Sequence, residues 1–200
     1  MEFRGAKPPN MQNKKLIRFV QSVILLPALT ISMPFGNLPR EARIVATDQT
    51  VFEQKVNTTL KMQAQAIDAY FSAHDMPILG TGLKMAIEAD KNSLDWRLLP
   101  AIAVRESTGG KNDCTKAENN FFGWGSCKIS FNSTNEAIEI IAMNLGGNNP
   151  NTAFHYADKT VKQILRAYNP PSIVPHYAQQ VLSIMNAIGA ADLGVSTATS

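Results

Sequence analysis

The chain has 200 residues, 44% of them apolar and 18% charged, which suits one domain with a real core and argues against a disordered polymer. Its formal charge of +3 is unevenly placed. Residues 1–40 hold six of the nineteen basic residues (Arg4, Lys7, Lys14, Lys15, Arg18, Arg40) and one acid, Glu2, so residues 41–200 carry 13 basic against 15 acidic residues, a net of −2. A nucleic-acid partner, which needs a basic patch on the folded part, is therefore not expected, and no Lys/Arg cluster follows Arg43.

In chain order, Lys14, Lys15 and Arg18 lead into an apolar run from Phe19 to Met33, the anatomy of an export signal. Residues 1–35 are read as that signal or as a signal anchor. The run is short against the ~20 apolar residues of a spanning helix, and Gln21, Ser22 and Pro27 interrupt it, which favours a signal over a permanent anchor. The nearest fair cleavage candidate, Ile44-Val45-Ala46, lies far downstream, so anchoring through residues 19–35 stays open. The protein is expected outside the cytosol, extracytoplasmic or wall-associated, with membrane contact only through this segment. Pro34, Gly36 and Pro39 sit in a polar stretch without periodicity, and residues 36–50 are read as a linker.

The folded part is expected over 51–190. Val56, Leu60, Ala64, Ile67 and Phe71 recur at the three-and-four spacing of an amphipathic helix from Phe52 to His74, ended by Pro77 and Gly80. A short helix follows over Leu83 to Ala89. Asp95 is placed to cap a third, through Trp96, Leu99, Ile102 and Ala103 to the Gly109-Gly110 stop, with Pro100 predicting an irregular first turn. Residues 111–132 lose the helical period and suggest a small irregular or β-hairpin lobe. Cys114 and Cys127, the only cysteines, flank most of it; in an exported protein a disulfide is expected, worth ~3 kcal/mol by chain entropy, with two free thiols as the alternative. Two cysteines without a nearby histidine are too few for zinc.

Helices then resume. Ser133 and Glu136 fit a capping box ahead of Ile138, Ile141 and Leu145, which end at Gly146-Gly147. One more helix runs through Val161, Ile164, Leu165 and Tyr168 to Pro170-Pro171. The last runs through Tyr177, Val181, Ile184, Met185 and Ile188 to Gly189, with a frayed tail over 191–200. The fold class is mainly α, an orthogonal helical domain with one inserted lobe.

Glu106 follows Leu99 by seven, Ile102 by four and Ala103 by three, which puts its carboxyl on the apolar stripe of the third helix. Burial raises a carboxyl pKa, the property a glycosidase acid needs in order to hold a proton near neutral pH. The wheel alone is equally served by a structural ion pair with Arg97 or Arg105. Asn119-Asn120-Phe121-Phe122-Gly123-Trp124-Gly125-Ser126 mixes amides, aromatics and glycines in the way sugar recognition uses, with aromatic faces for pyranose rings and amides for hydroxyl and N-acetyl groups. A small aromatic core beneath a loop accounts for the same composition. Tyr168, Asn169, Pro170 and Pro171 form a third cluster, equally well explained as a helix end with a packing tyrosine.

In order, Asp95 to Ser107, then Asn119 to Gly125, then Tyr168-Asn169-Pro170-Pro171 with Tyr177 resemble the lysozyme-like superfamily, particularly the bacterial endo-β-N-acetylglucosaminidase-like domains of glycoside hydrolase family 73. The resemblance covers about Ile67 to Ile188. It implies a peptidoglycan hydrolase acting on β-1,4 bonds between N-acetylated sugars, with Glu106 as catalytic acid and Asn119, Asn120, Phe121, Phe122, Gly123, Trp124, Tyr168 and Tyr177 at the glycan. It departs from two-carboxylate relatives in that Lys128 to Asn132 hold no acid; Asp113 and Glu118 are the nearest. A lytic transglycosylase, or a catalytically silent glycan-binding module, fits the same motifs. No cofactor and no metal are expected, since His74, His155 and His176 have no ligand partners at useful spacing, and a monomer acting on glycan is the expected state. A nucleophile elbow and a phosphate loop are both missing from the sequence.

Overall fold

The computed structural model describes the backbone of residues 40–196 and the side chains of residues 55–190. The expected export or anchor segment, residues 1–35, lies outside the described residues. Among those described, no helix is long and apolar enough to cross a membrane, no strand is present, and eight helical segments make a mainly α fold.

Helix α1 spans Arg40–Ala73, so residues 40–50, expected as a linker, are helical. The reason is local. Pro39 is the last helix breaker before a run with neither proline nor glycine through Ala73, so nothing stops propagation once a first turn has formed. Only the final turns enter the core: Ala64, Ala66, Ile67 and Phe71 are buried, whereas Val56 and Leu60 are half-buried. The Asp68 carboxylate accepts from the backbone N–H groups of Gly80 and Gly82, each at 3.0 Å, tying the end of α1 to the start of α2, Gly82–Lys91.

Helix α3, Leu98–Ser107, carries the centre of the core, and every side chain from Leu98 to Ala103 is buried as it packs against α8, α2 and α5. Asp95 is not the cap: Arg97 holds that position without a side-chain cap bond, and Asp95 Oδ1 accepts from Arg97 N–H at 3.0 Å in the turn before the regular helix begins at Leu98. That start puts Pro100 inside the first turn, where its missing N–H has no intrahelical partner to lose. The helix ends at left-handed Thr108 with Gly109 N–H bonded to Ala103 O at 3.2 Å, the stop expected from Gly109-Gly110.

Residues 111–132 form an irregular lobe, not a hairpin. Its two sides meet through Phe131 N–H to Glu118 O at 2.9 Å, but no ladder grows from that bond. Turns and the short coil α4, Trp124–Cys127, fill the lobe, and α4 contains left-handed Gly125, Ser126 and Cys127. Cys114 and Cys127 stand at disulfide distance, with an S–S separation of 2.05 Å and Cα atoms 5.5 Å apart.

Helix α5, Thr134–Leu145, has Ser133 as its cap, with Glu136 N–H donating to Ser133 Oγ at 3.1 Å. The reciprocal half of the box is displaced by one residue, because the Glu136 carboxylate takes the N–H and side-chain amide of Asn132. Sequence periodicity does not reveal α6, Ala153–Tyr156, a single turn before α7, Val161–Tyr168. Helix α8, Tyr177–Ser196, runs past its expected stop at Gly189, so residues 191–196 extend the helix. Gly189 serves close approach and not termination: a Cβ there would stand 3.3 Å from Arg97 Nη1.

Candidate active site

Glu106 sits in the last turn of α3, half-buried, where the lobe and the start of α8 converge on its carboxyl. Both sequence candidates for an ion-pair partner are engaged elsewhere. Arg97 grips Asp95 through Nε at 2.9 Å and Nη2 at 2.6 Å, and Arg105 donates Nε to Gln180 at 2.7 Å with its guanidinium over the Tyr177 ring. Among the described residues, no ion pair includes Glu106. Its direct polar partner is a neutral one: Tyr177 O–H donates to Glu106 Oε1 at 2.6 Å.

Burial is the largest influence on this carboxyl and pushes its pKa above the ordinary glutamate range; the Tyr177 hydrogen bond and the Arg105 charge pull the other way without cancelling it. Tyr177 answers in kind, its phenol raised by burial and by the neighbouring carboxylate, so it remains a donor. No described carboxylate contributes to the Glu106 shift. Asp113 is occupied with Cys114 N–H at 2.7 Å, and Glu118 is exposed.

Gly123 closes the other side. Its backbone is left-handed, φ +66°, and a Cβ at that position would lie 3.0 Å from Glu106 Oε2, so both the turn and the proximity of the carboxylate call for glycine. The turn is held by Asn120, fully buried, whose amide donates to Trp124 O at 2.9 Å and Ile129 O at 2.7 Å while its Oδ1 accepts from Trp124 N–H at 2.9 Å. Asn119, itself left-handed, donates to Phe131 O at 2.9 Å. Phe121 and Phe122 are buried with ring centroids 4.4 Å apart. Of the segment assigned to the glycan, Asn120, Phe121 and Phe122 therefore spend their side chains building the lobe, as a small core beneath a loop would, and Asn119 ties down its edge. Only Trp124, half-buried, offers part of an aromatic surface.

Trp124 belongs to a larger assembly. Its ring lies 5.6 Å from Tyr168 and 6.3 Å from Tyr156, and Tyr168 stacks on Tyr177 at 6.1 Å with planes 7° apart. The Tyr168 hydroxyl donates to Phe122 O at 2.5 Å, pinning α7 to the lobe, and its burial raises the phenol pKa. Burial likewise pushes Tyr156 up to about 12. Thus Tyr168, Tyr177, Gly123 and Trp124 gather around Glu106 although they come from three separate stretches of chain. Behind Tyr177, the Asn169 to Pro175 turn walls a cavity of about 240 Å³ that Arg166 and His176 also line.

Sequence reasoning did not single out Tyr156 or its neighbour Phe154, and considered His155 only as a metal ligand without partners. The available signal was their adjacency between turn-rich segments, too short a run to show a period. Among the described residues no three metal-ligating side chains cluster; His74 Nδ1 pairs with Tyr70 O at 2.8 Å, and His155 packs on Phe154. No protein-family model and no curated protein matches the chain.

Proposed function

We propose that this chain is an exported glycoside hydrolase of lysozyme-like architecture that cuts β-1,4 bonds between N-acetylated sugars of peptidoglycan, with Glu106 as the general acid. The observation that carries the reading is the state of Glu106: a half-buried carboxyl in no ion pair among the described residues, held by the Tyr177 phenol. Such a group holds its proton to higher pH than an exposed glutamate does and can deliver it. The Glu106 proton passes to the glycosidic oxygen as the bond from that oxygen to the anomeric carbon breaks, positive charge develops on the sugar ring, and a water molecule adds to that carbon with loss of a proton. Tyr177 keeps the carboxyl aimed, and once the proton has left, the same O–H steadies the carboxylate. Trp124 and Tyr168 supply ring surface for the apolar faces of the sugars.

The full-length protein is expected to clear a suspension of bacterial cell walls, and Glu106→Gln, nearly isosteric, to clear it about 10²–10⁴-fold more slowly. Equal clearing by both would overturn the assignment.

One observation favours a second outcome for the same acid. No described carboxylate contributes to the shift of Glu106, and the nearest acids by sequence, Asp113 and Glu118, are exposed. A lytic transglycosylase needs only the one acid, because a hydroxyl of the substrate closes an anhydro ring onto the anomeric carbon and returns its proton to the Glu106 carboxylate. Product masses decide: anhydro ends support this second outcome, and fragments heavier by one water support hydrolysis.

A further inference from the structure

Arg105 is the cation next to Glu106 in sequence, yet it does not pair with it. Its Nε donates to Gln180 Oε1 at 2.7 Å, and its guanidinium lies over the Tyr177 ring, 5.7 Å from the centroid. Tyr177 and Gln180 stand three apart in the first turn of α8, hence on one face of that helix. Core packing does not explain Gln180, which is exposed, and an ion pair does not explain Arg105, which is half-buried and meets no described acid. A neutral amide is a particular choice of acceptor here: it fixes the guanidinium by a hydrogen bond and leaves its charge intact, whereas a carboxylate is the stronger partner for arginine. One such carboxylate is at hand. Glu106 takes the hydroxyl of the same tyrosine whose ring Arg105 covers, and the charge of Arg105 is felt at the Glu106 carboxyl.

Resting on the reading of Glu106 as the acid, we infer that Gln180 is a positioning residue: by holding Arg105 Nε it keeps the guanidinium over the Tyr177 ring and off the Glu106 carboxylate, so that a phenol and not a cation holds the candidate acid. A salt bridge at that place would favour the ionised carboxyl and deplete the protonated form that the reaction uses. The titratable groups that bear on Glu106 are Tyr177 from α8, Arg105 from its own helix and Tyr168 from α7, whose phenol senses the same carboxylate, while the lobe presents uncharged Gly123. Both phenols are raised and stay neutral. Arg105 is thus the one charge among them, and where it is held decides the state of the acid.

The test separates this inference from the assignment of Glu106. The Glu106 carboxyl is titrated by NMR in full-length protein carrying isotope-labelled glutamate, its signal being the one that Glu106→Gln lacks, and the alkaline limb of wall cleavage is recorded alongside. In Gln180→Ala the released Arg105 turns to the carboxylate, and the Glu106 pKa and the alkaline limb both move down by about one pH unit. Adding Arg105→Gln to Gln180→Ala abolishes that fall, and Gln180→Glu, which still offers Nε an acceptor, does not produce it. A merely structural role for Gln180 would lower the rate or the melting temperature without this signed shift and its reversal. A Glu106 pKa that stays fixed or rises in Gln180→Ala, or a fall that persists in the double variant, overturns the role given to Gln180. If the parent protein cleaves no wall, the assignment of Glu106 as the acid fails alone, since the carboxyl titration still decides what Gln180 does to Arg105.

Discussion

Two glutamates on the apolar sides of neighbouring helices show opposite solutions to the same cost. Glu88 on α2 is 4% exposed and is neutralised: Lys84 reaches Oε1 at 2.8 Å, Lys91 stands 3.6 Å from Oε2, and Lys84 continues to Glu139 at 3.3 Å. Glu106 on α3 is less deeply buried, yet no described cation pairs with it and its hydrogen-bond partner is the Tyr177 phenol. A carboxylate taken from water must be paired, bonded or protonated. Glu88 takes the first course, which stabilises the fold; Glu106 takes the second, one hydrogen bond from a phenol, and burial raises its pKa. Depth of burial therefore does not set the candidate acid apart. The chemistry of the partner does.

The contrast predicts a double dissociation, and its largest arm is at Glu106. Glu106→Gln lowers wall cleavage by about 10²–10⁴-fold while leaving the protein no less stable at neutral pH. The sign follows from linkage: a folded-state pKa raised above the unfolded one means stability is fully present below the unfolded pKa and falls as pH rises through the folded pKa. The neutral amide escapes that loss and still accepts from Tyr177. Thermal melts from pH 4 to 8 should show the gap between Glu106→Gln and the parent widen in favour of the variant as pH rises; a variant melting well below the parent at pH 8 would return Glu106 to the structural class.

Glu88→Ala is the opposite arm. It removes the buried partner of Lys84 and Lys91, and denaturant titration should show a loss of about 1–3 kcal/mol, with cleavage per folded molecule unchanged. Loss of activity at full stability would erase the distinction between the two glutamates.

Gly123→Ala falls between these arms, because it tests whether the lobe is built around the carboxylate. The added methyl meets left-handed backbone and the Glu106 carboxylate together. The expected stability cost is about 1–2 kcal/mol, accompanied by a fall in kcat, while a substitution at left-handed Gly80, which has open space around it, costs stability alone.

These contrasts also show what the sequence can and cannot disclose. Helical periodicity placed Glu106 on the core side of α3 and located α2, α5 and α7 closely, because apolar spacing and caps are local signals. It erred where a local signal had a distant cause: Gly189 looks like a stop but makes room for Arg97, and the polar segment before Val51 looks like a linker but joins α1. Within the lobe, composition singled out residues for a glycan, and several of their side chains go into building the lobe itself. Asn120 and Phe122 carry the amide and ring chemistry of sugar binding, and only the fold reveals that the amide is consumed by Trp124 and Ile129 and that the ring is sealed in the core. Tyr177 was legible only through its place in a motif. That its hydroxyl reaches a carboxyl 71 positions away in sequence is a matter of α8 crossing α3.

The smallest effect is the most specific. Tyr177→Phe removes the one donor to Glu106 Oε1 and leaves the packing against Tyr168 in place. Because that hydrogen bond favours the ionised carboxyl and opposes the larger effect of burial, its loss raises the Glu106 pKa further. Glu106 must be protonated to act, so the alkaline limb of the pH–rate profile moves to higher pH, even as loss of aim lowers the maximal rate by about tenfold. Arg105→Gln shifts the limb in the same direction by less, since its charge is the weaker of the two opposing influences. A limb that stays fixed in Tyr177→Phe, whatever happens to the rate, would mean that the titrating acid is not Glu106 and would remove the reason for setting it apart from Glu88.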